Sequence, residues 1–198
     1  MNNILQISSS PRGAASKSSL LAREVVERLH ARHPDARVVT RDVAADPIHP
    51  LDADALTALG TPAAERTPAQ QAVVAEYDAL IAELQAADAV VFGVPMYNFA
   101  IPTQLKTYFD AVARAGVTFR YGPQGPEGLL RGKKVYVVLG RGGIYRGTPA
   151  DLQTPYLQTM LGFLGLTDVE YVFAEGLDMG PESQRAGIES ARHAIAAL

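Results

Sequence analysis

Three short stretches of the chain have residue types and spacings that could handle a small ligand. The first, SSSPRGAASKSS (Ser8–Ser19), offers hydroxyls at Ser10, Ser16 and Ser18, with Lys17 between the last two. Hydroxyls, a lysine and small residues just ahead of a helix suit an anion. First-turn N–H groups lack intrahelical acceptors, and the positive end of the helix dipole lies there. One serine would serve as a helix cap; three hydroxyls on one loop exceed that need. The second stretch, PMYNF (Pro95–Phe99), sets Met96, Tyr97, Asn98 and Phe99 in a turn after an apolar run. Thioether and aromatic groups there can stack on a flat ring or pack against a second subunit or the 116–130 segment. The third, GRGGIYRG (Gly140–Gly147), lets backbone approach a ligand closely through Gly140, Arg141, Gly142 and Gly143, or forms a flexible turn.

Other chemistries lack their residues. G-x-x-x-x-G-K-[ST] and G-x-G-x-x-G are both absent, as is the G-x-S-x-G elbow of serine hydrolases. His30 and His33 have ligand-like spacing on a charged helix end but no acidic or cysteine partner, while His49 and His193 stand alone, so no metal site is expected. Without cysteine, disulfides, iron–sulfur clusters and thiolate zinc sites are excluded, and a reducing cytoplasm is the expected location. The formal net charge is −3 with no basic block, which argues against a nucleic-acid partner. No stretch reaches the roughly 20 apolar residues of a membrane span. With 47% hydrophobic and 20% charged residues, the composition is that of a globular protein able to bury a core.

The elements that must position these loops alternate. Apolar runs predict strands at Asn3–Ile7, Ala36–Arg41, Asp88–Val94, Lys133–Leu139 and Val169–Ala174. Helical spacing predicts helices from Ser16, from Pro68, over Ile101–Ala115, over Asp151–Leu164 and from Pro181. Thr67 and Gln70 form a capping box around Pro68. The stretch between the second strand and Pro68 holds three prolines and shows no clear period, and Gly116–Leu130 reads as an excursion or hairpin. Five strands alternating with five helices predict an α/β fold: a doubly wound, five-stranded parallel sheet with helices on both faces, residues 1–198 forming a single domain. In such sheets ligands bind beyond the carboxyl ends of the strands, where the three stretches fall. A phosphate cradle, an aromatic wall and a polar backbone edge together suit FMN better than a nucleoside triphosphate.

The text PMYNF, PTQLK-x-YFD and ARAGVTFRY, with AADPIHPLD, GPEGLLRGKK, RGGIY and TPYLQTMLGFLGLTDVEYVFAEG, resembles the FMN-dependent NADH-azoreductases over essentially the whole chain. These belong to the flavodoxin-like NAD(P)H:quinone oxidoreductases. The resemblance implies a flavodoxin-like fold and a homodimer with FMN in clefts at its interface. It also implies reduction of quinones and azo compounds by ping-pong hydride transfer from NADH or NADPH. Carried over, Ser10, Ser16, Lys17 and Ser18 would hold the phosphate and ribityl end. Met96, Tyr97, Asn98 and Phe99 would line the ring, and Gly140, Arg141, Gly142 and Gly143 its pyrimidine edge. Phe119, Tyr121, Tyr145 and Phe163 would wall the substrate pocket, with Phe119, Tyr121 and Phe163 reaching it partly from the partner subunit or serving as interface core instead. No side chain is expected to be catalytic, because the flavin carries the chemistry. Many relatives have Ser at the position of Gly140 and His at that of Tyr145. Two rival readings fit the residues less well. A one-electron carrier would usually show a strongly acidic docking face, and a flavin-free scaffold leaves the aromatic loop unexplained.

Overall fold

The computed structural model describes residues 1–198. Five strands, β1 (Asn3–Ser8), β2 (Arg37–Asp42), β3 (Ala89–Pro95), β6 (Lys134–Gly140) and β7 (Asp168–Ala174), form one parallel sheet in the order β2-β1-β3-β6-β7. The order reverses after β1, so β1 and β3 lie side by side and their outgoing loops diverge to opposite faces. That divergence opens the crevice in which doubly wound sheets bind ligands.

Strand side chains alternate between two cores. Leu5, Ile7, Val90, Phe92, Val94, Val135, Val137 and Leu139 face α3 (Pro68–Ala86), α4 (Thr103–Val112) and α5 (Gln153–Leu164). Ile4, Ala89, Val91, Val138 and Val172 face α1 (Lys17–Arg32) and α6 (Pro181–Ala197). Burial on both faces explains the unbroken apolar text of β3. Each large aliphatic or aromatic side chain so placed contributes about 1.5–3 kcal/mol.

The predicted elements recur with boundaries displaced by a residue or two, and three differences have physical causes. The proline-rich stretch contains a sixth helix, α2 (Ala53–Gly60). Asp52 caps it by accepting the Ala55 N–H at 2.8 Å, and only Ala55 and Ala58 are buried, too small a stripe to read as a period. Helix α4 is shorter than Ile101–Ala115. Pro102 precedes its first residue, and buried Thr118 ends it, its hydroxyl donating to Val112 O at 2.6 Å and accepting from Arg114 N at 2.8 Å. The 116–130 segment is a hairpin of β4 (Phe119–Gly122) and β5 (Gly125–Gly128), which lies against α5. The capping box at Thr67 and Gln70 is present.

Candidate active site

The carboxyl ends of β1, β3, β6 and β7 surround one open cleft enclosing about 100 Å³. Its floor is the start of α1. Ser16 is in extended conformation and accepts the Ser19 N–H at 3.2 Å, while its hydroxyl lies 3.1 Å from that of Ser18. Both serines are almost fully buried, so their hydroxyls are fixed rather than solvated. No acidic residue occupies the first turn of α1, and Lys17 and Arg12 line the cleft. Ser10 accepts the Arg12 N–H at 3.3 Å, and Ser9, which the sequence reading did not single out, donates to Gly93 O at 3.0 Å and ties the end of β1 to β3.

The second wall begins where β3 stops. Met96 N donates to Gly140 O at 2.9 Å; Tyr97 and Ala100 then exchange two backbone hydrogen bonds of 3.0 Å. The turn between them has Asn98 at φ +49° and Phe99 at φ +68°. Two consecutive left-handed residues define a type I′ turn. Asn tolerates this conformation; an aromatic residue does so at a cost of about 1–2 kcal/mol. The turn sets the Phe99 ring out of the core, 47% exposed, with its edge against Tyr145 at a centroid distance of 5.7 Å. Met96 and Tyr97 line the cleft, and Asn98 and Phe99 stand beyond them on the turn.

At Gly140 a Cβ would come within 3.0 Å of Ser18 Cβ and 3.3 Å of Ser18 N. The absence of a side chain there lets β6 close onto the serine cradle. Gly142 lines the cleft beside Asp178, whereas Gly143 packs against the Tyr145 ring. The Arg141 side chain, of which the sequence reading said nothing, is committed to the protein. It is fully buried, and all five guanidinium N–H groups are used. Nε donates to Gln153 Oε1 (3.1 Å), Nη1 to Asp151 Oδ2 (3.0 Å) and Glu175 Oε1 (3.1 Å), and Nη2 to Asp151 Oδ1 (2.9 Å) and Thr154 Oγ1 (2.8 Å). No side-chain donor is left for a ligand, and the backbone N–H of Arg141 is itself taken by Ala174 O at 2.9 Å. Burial works to raise the Asp151 pKa, but the Thr154 amide, the Arg141 guanidinium and the Thr154 hydroxyl outweigh it and hold the carboxyl below the usual aspartate range.

A fourth loop, after β7, was not anticipated. Gly176, Leu177 and Asp178 donate backbone N–H groups to Gly143, Arg141 and Gly142 carbonyls, each at 3.0 Å. Glu175 Oε1 accepts from Tyr145 N at 2.8 Å and Arg146 N at 2.9 Å. Leu177, Asp178 and Gln184 thereby reach the cleft. The glycines of EGLDMG were the signal available for it. Phe119, Tyr121 and Phe163 lie elsewhere: they form their own cluster between the hairpin and α5, with Phe119 and Phe163 centroids 4.3 Å apart. Within one chain they are not walls of this cleft, and of the four expected substrate residues only Tyr145 adjoins it.

A flavin with a phosphate tail fits these residues. The buried hydroxyl pair and free first-turn amides suit the phosphate, and Met96, Tyr97 and the 140–142 backbone suit the ring's face and polar edge.

Comparison with known proteins agrees. The family model described as flavodoxin-like fold matches residues 2–198. The FMN-dependent NADH:quinone oxidoreductase 6 of Burkholderia lata is 59% identical over 197 residues, covering 100% of both chains; the FMN-dependent NADH:quinone oxidoreductase of Paraburkholderia phymatum is 57% identical with the same coverage. Among solved structures, an azoreductase from Bacillus anthracis superposes with a TM-score of 0.87 at 31% identity, covering 100% of both chains. An FMN-dependent NADH-azoreductase from the same organism, in complex with FMN, gives 0.86 at 25% identity over 100% of this chain and 99% of that one. A sheet of this order, a cleft of this chemistry and identity sustained from end to end have one explanation: the chain belongs to the flavodoxin-like family of FMN-dependent NADH:quinone oxidoreductases.

Proposed function

We propose that residues 1–198 act as one FMN-binding domain that uses NADH, or NADPH, to reduce quinones and azo compounds in ping-pong order. The observation that carries this reading is the convergence of a buried hydroxyl pair, an aromatic turn and a glycine-rich edge on one cleft. When bound, FMN would supply two-electron hydride acceptance and donation. The chain's residues supply position and field. Ser16, Ser18 and the first-turn amides of α1 bind the phosphate. Met96 and Tyr97 cover one side of the ring and exclude water from it. Backbone N–H groups in the 140–143 loop favour negative charge at the ring's polar edge. Phe99 and Tyr145 border the mouth, where an aromatic acceptor can stack.

A homodimer completes the reading. Beside the aromatic turn lies an apolar recess lined by Ala100, Ile101, Leu152 and Tyr156. Leu152 is 60% exposed, and the Tyr156 hydroxyl, its pKa pushed up to about 12 by burial, has no partner. A second copy would cover this face, and Phe119, Tyr121 and Phe163 would wall the substrate pocket partly from the partner subunit. No helix is long and apolar enough to cross a membrane, and a cytoplasmic location suits a cysteine-free chain.

Purified protein should be yellow and should bleach within a mixing experiment when NADH is added without oxygen. Re-oxidation by a quinone, with parallel double-reciprocal plots, would establish the order of transfer. A well-folded, colourless preparation that takes up no added FMN would overturn the proposal.

A further inference from the structure

Between the ring-wall turn and the glycine-rich loop sits a residue that touches neither face of the cleft. Gln153, at the start of α5, is fully buried. Its Oε1 accepts from Arg141 Nε at 3.1 Å, and its Nε2 donates to Pro95 O at 2.9 Å. A guanidinium only donates and a carbonyl only accepts, so the two ends of the amide cannot exchange. Pro95 is the last residue of β3, paired with Gly140 at the end of β6, and Glu175 follows β7. A continuous line of hydrogen bonds, Pro95–Gln153–Arg141–Glu175, therefore crosses the ends of three adjacent strands. Asp151 and Thr154 brace it from the first turn of α5 and the residues just before it. The phosphate cradle on β1 and α1 is outside this line.

Resting on the FMN reading above, we infer that Gln153, acting with Arg141, is the positioning residue of the cleft's ring end: it sets the aromatic turn and the glycine-rich edge at a fixed separation, and has no part in holding the phosphate. A glutamine is suited to the task because the two groups to be joined are a donor and an acceptor. Neither leucine nor glutamate can serve both.

The inference separates two kinds of binding loss. FMN and riboflavin share the tricyclic ring and differ in the phosphate. Gln153→Glu keeps an acceptor for Arg141 but sets a carboxylate oxygen against the Pro95 carbonyl. Gln153→Met keeps the length and removes both hydrogen bonds. Each variant should bind FMN and riboflavin more weakly, about 3- to 10-fold, by a factor that is the same for the two flavins. The visible circular dichroism of bound FMN should change, a readout that general loosening of the fold would not move selectively. If Gln153→Glu fails to fold, Gln153→Met carries the same expectation. Unchanged affinities and an unchanged visible spectrum in a folded variant would overturn the inference, as would a loss confined to FMN. Wild-type protein that bound neither flavin would overturn the FMN reading itself, a different result from wild-type binding with indifferent variants.

Discussion

Two glycines of α5 and its C-cap, three residues apart, should respond in opposite directions to the same change. Gly162 is inside α5 with no atom within 4 Å of where a Cβ would stand. Gly162→Ala removes unfolded-chain freedom and adds helix propensity, a gain of about 0.5–1 kcal/mol. Gly165 caps the same helix at φ +92°, and a Cβ there would lie 2.8 Å from Gly128 C and 2.9 Å from Gly128 O. Ordinary contact begins near 3.4 Å, so β5 would have to retreat by about 0.6 Å (3.4 − 2.8). The left-handed conformation costs a β-carbon about 1–2 kcal/mol, and forced packing against backbone adds about 1–3 kcal/mol.

Gly165→Ala should therefore lose at least about 2 kcal/mol. For a chain of this size that lowers Tm by roughly 4–8 °C, whereas Gly162→Ala should raise it by about 1–4 °C. Thermal and urea unfolding monitored by far-ultraviolet circular dichroism measure both. Helix α5 is 12 residues long, so Gly165 stands about 18 Å along the axis from Gln153. FMN uptake by folded protein should stay as in the wild type for both variants. A Gly165→Ala protein as stable as its parent would refute the reasoning, because it would mean that the hairpin yields at no cost and does not brace α5.

Ser16→Ala with Ser18→Ala should weaken FMN binding at least tenfold through two lost hydrogen bonds to a charged group, while riboflavin affinity moves little; equilibrium dialysis with both flavins decides it. Tyr108 is buried with its hydroxyl unpaired, so Tyr108→Phe should be neutral or stabilising by up to about 1 kcal/mol in urea titration. Asp151 is held below the usual range in the folded state. Its contribution to stability is therefore complete above the unfolded aspartate value, near 4, and is lost as pH falls through the lower folded value. Against Asp151→Asn, the wild-type advantage in Tm should be constant from pH 7 to about 5 and shrink below about 4; an advantage that persisted unchanged to pH 2 would contradict the sign.

What could be read from the chain follows the range of the interactions involved. β3 is legible because burial on both faces leaves seven consecutive residues with one polarity. α3 is legible because Thr67, Pro68 and Gln70 act on each other within one turn. Helix α2 escaped because two buried alanines among prolines carry no periodic signal; the Asp52 cap was the only local mark. The serine cradle and the Met96–Tyr97 wall were legible as residue types at strand ends. The partners of the Arg141 side chain were not legible for a reason of distance: they come 10–13 and 34 residues later. The same applies to Gln153, which in sequence is one more polar residue at a helix start. Phe119, Tyr121 and Phe163 cluster with one another within the chain, a contact that aromatic type alone does not foretell.

The buried charge cluster also bears on how loops so rich in glycine can form a precise site. Glycine gives the backbone access to the cleft but loses the most conformational freedom on folding. A buried ion pair is weak evidence for net stability, because desolvation consumes much of the attraction. What Arg141 does supply is direction. A planar fork with five occupied donors admits one arrangement of Asp151, Gln153, Thr154 and Glu175, and through them one arrangement of the ends of β3, β6 and β7. Glu175 extends the constraint by fixing the Tyr145 and Arg146 amides. Division of the cleft follows from this. The end of the cleft at α1 is built from helix geometry and buried hydroxyls, with Lys17 and Arg12 beside them. The ring end is built from flexible backbone, and it is there that the fold spends a buried cation.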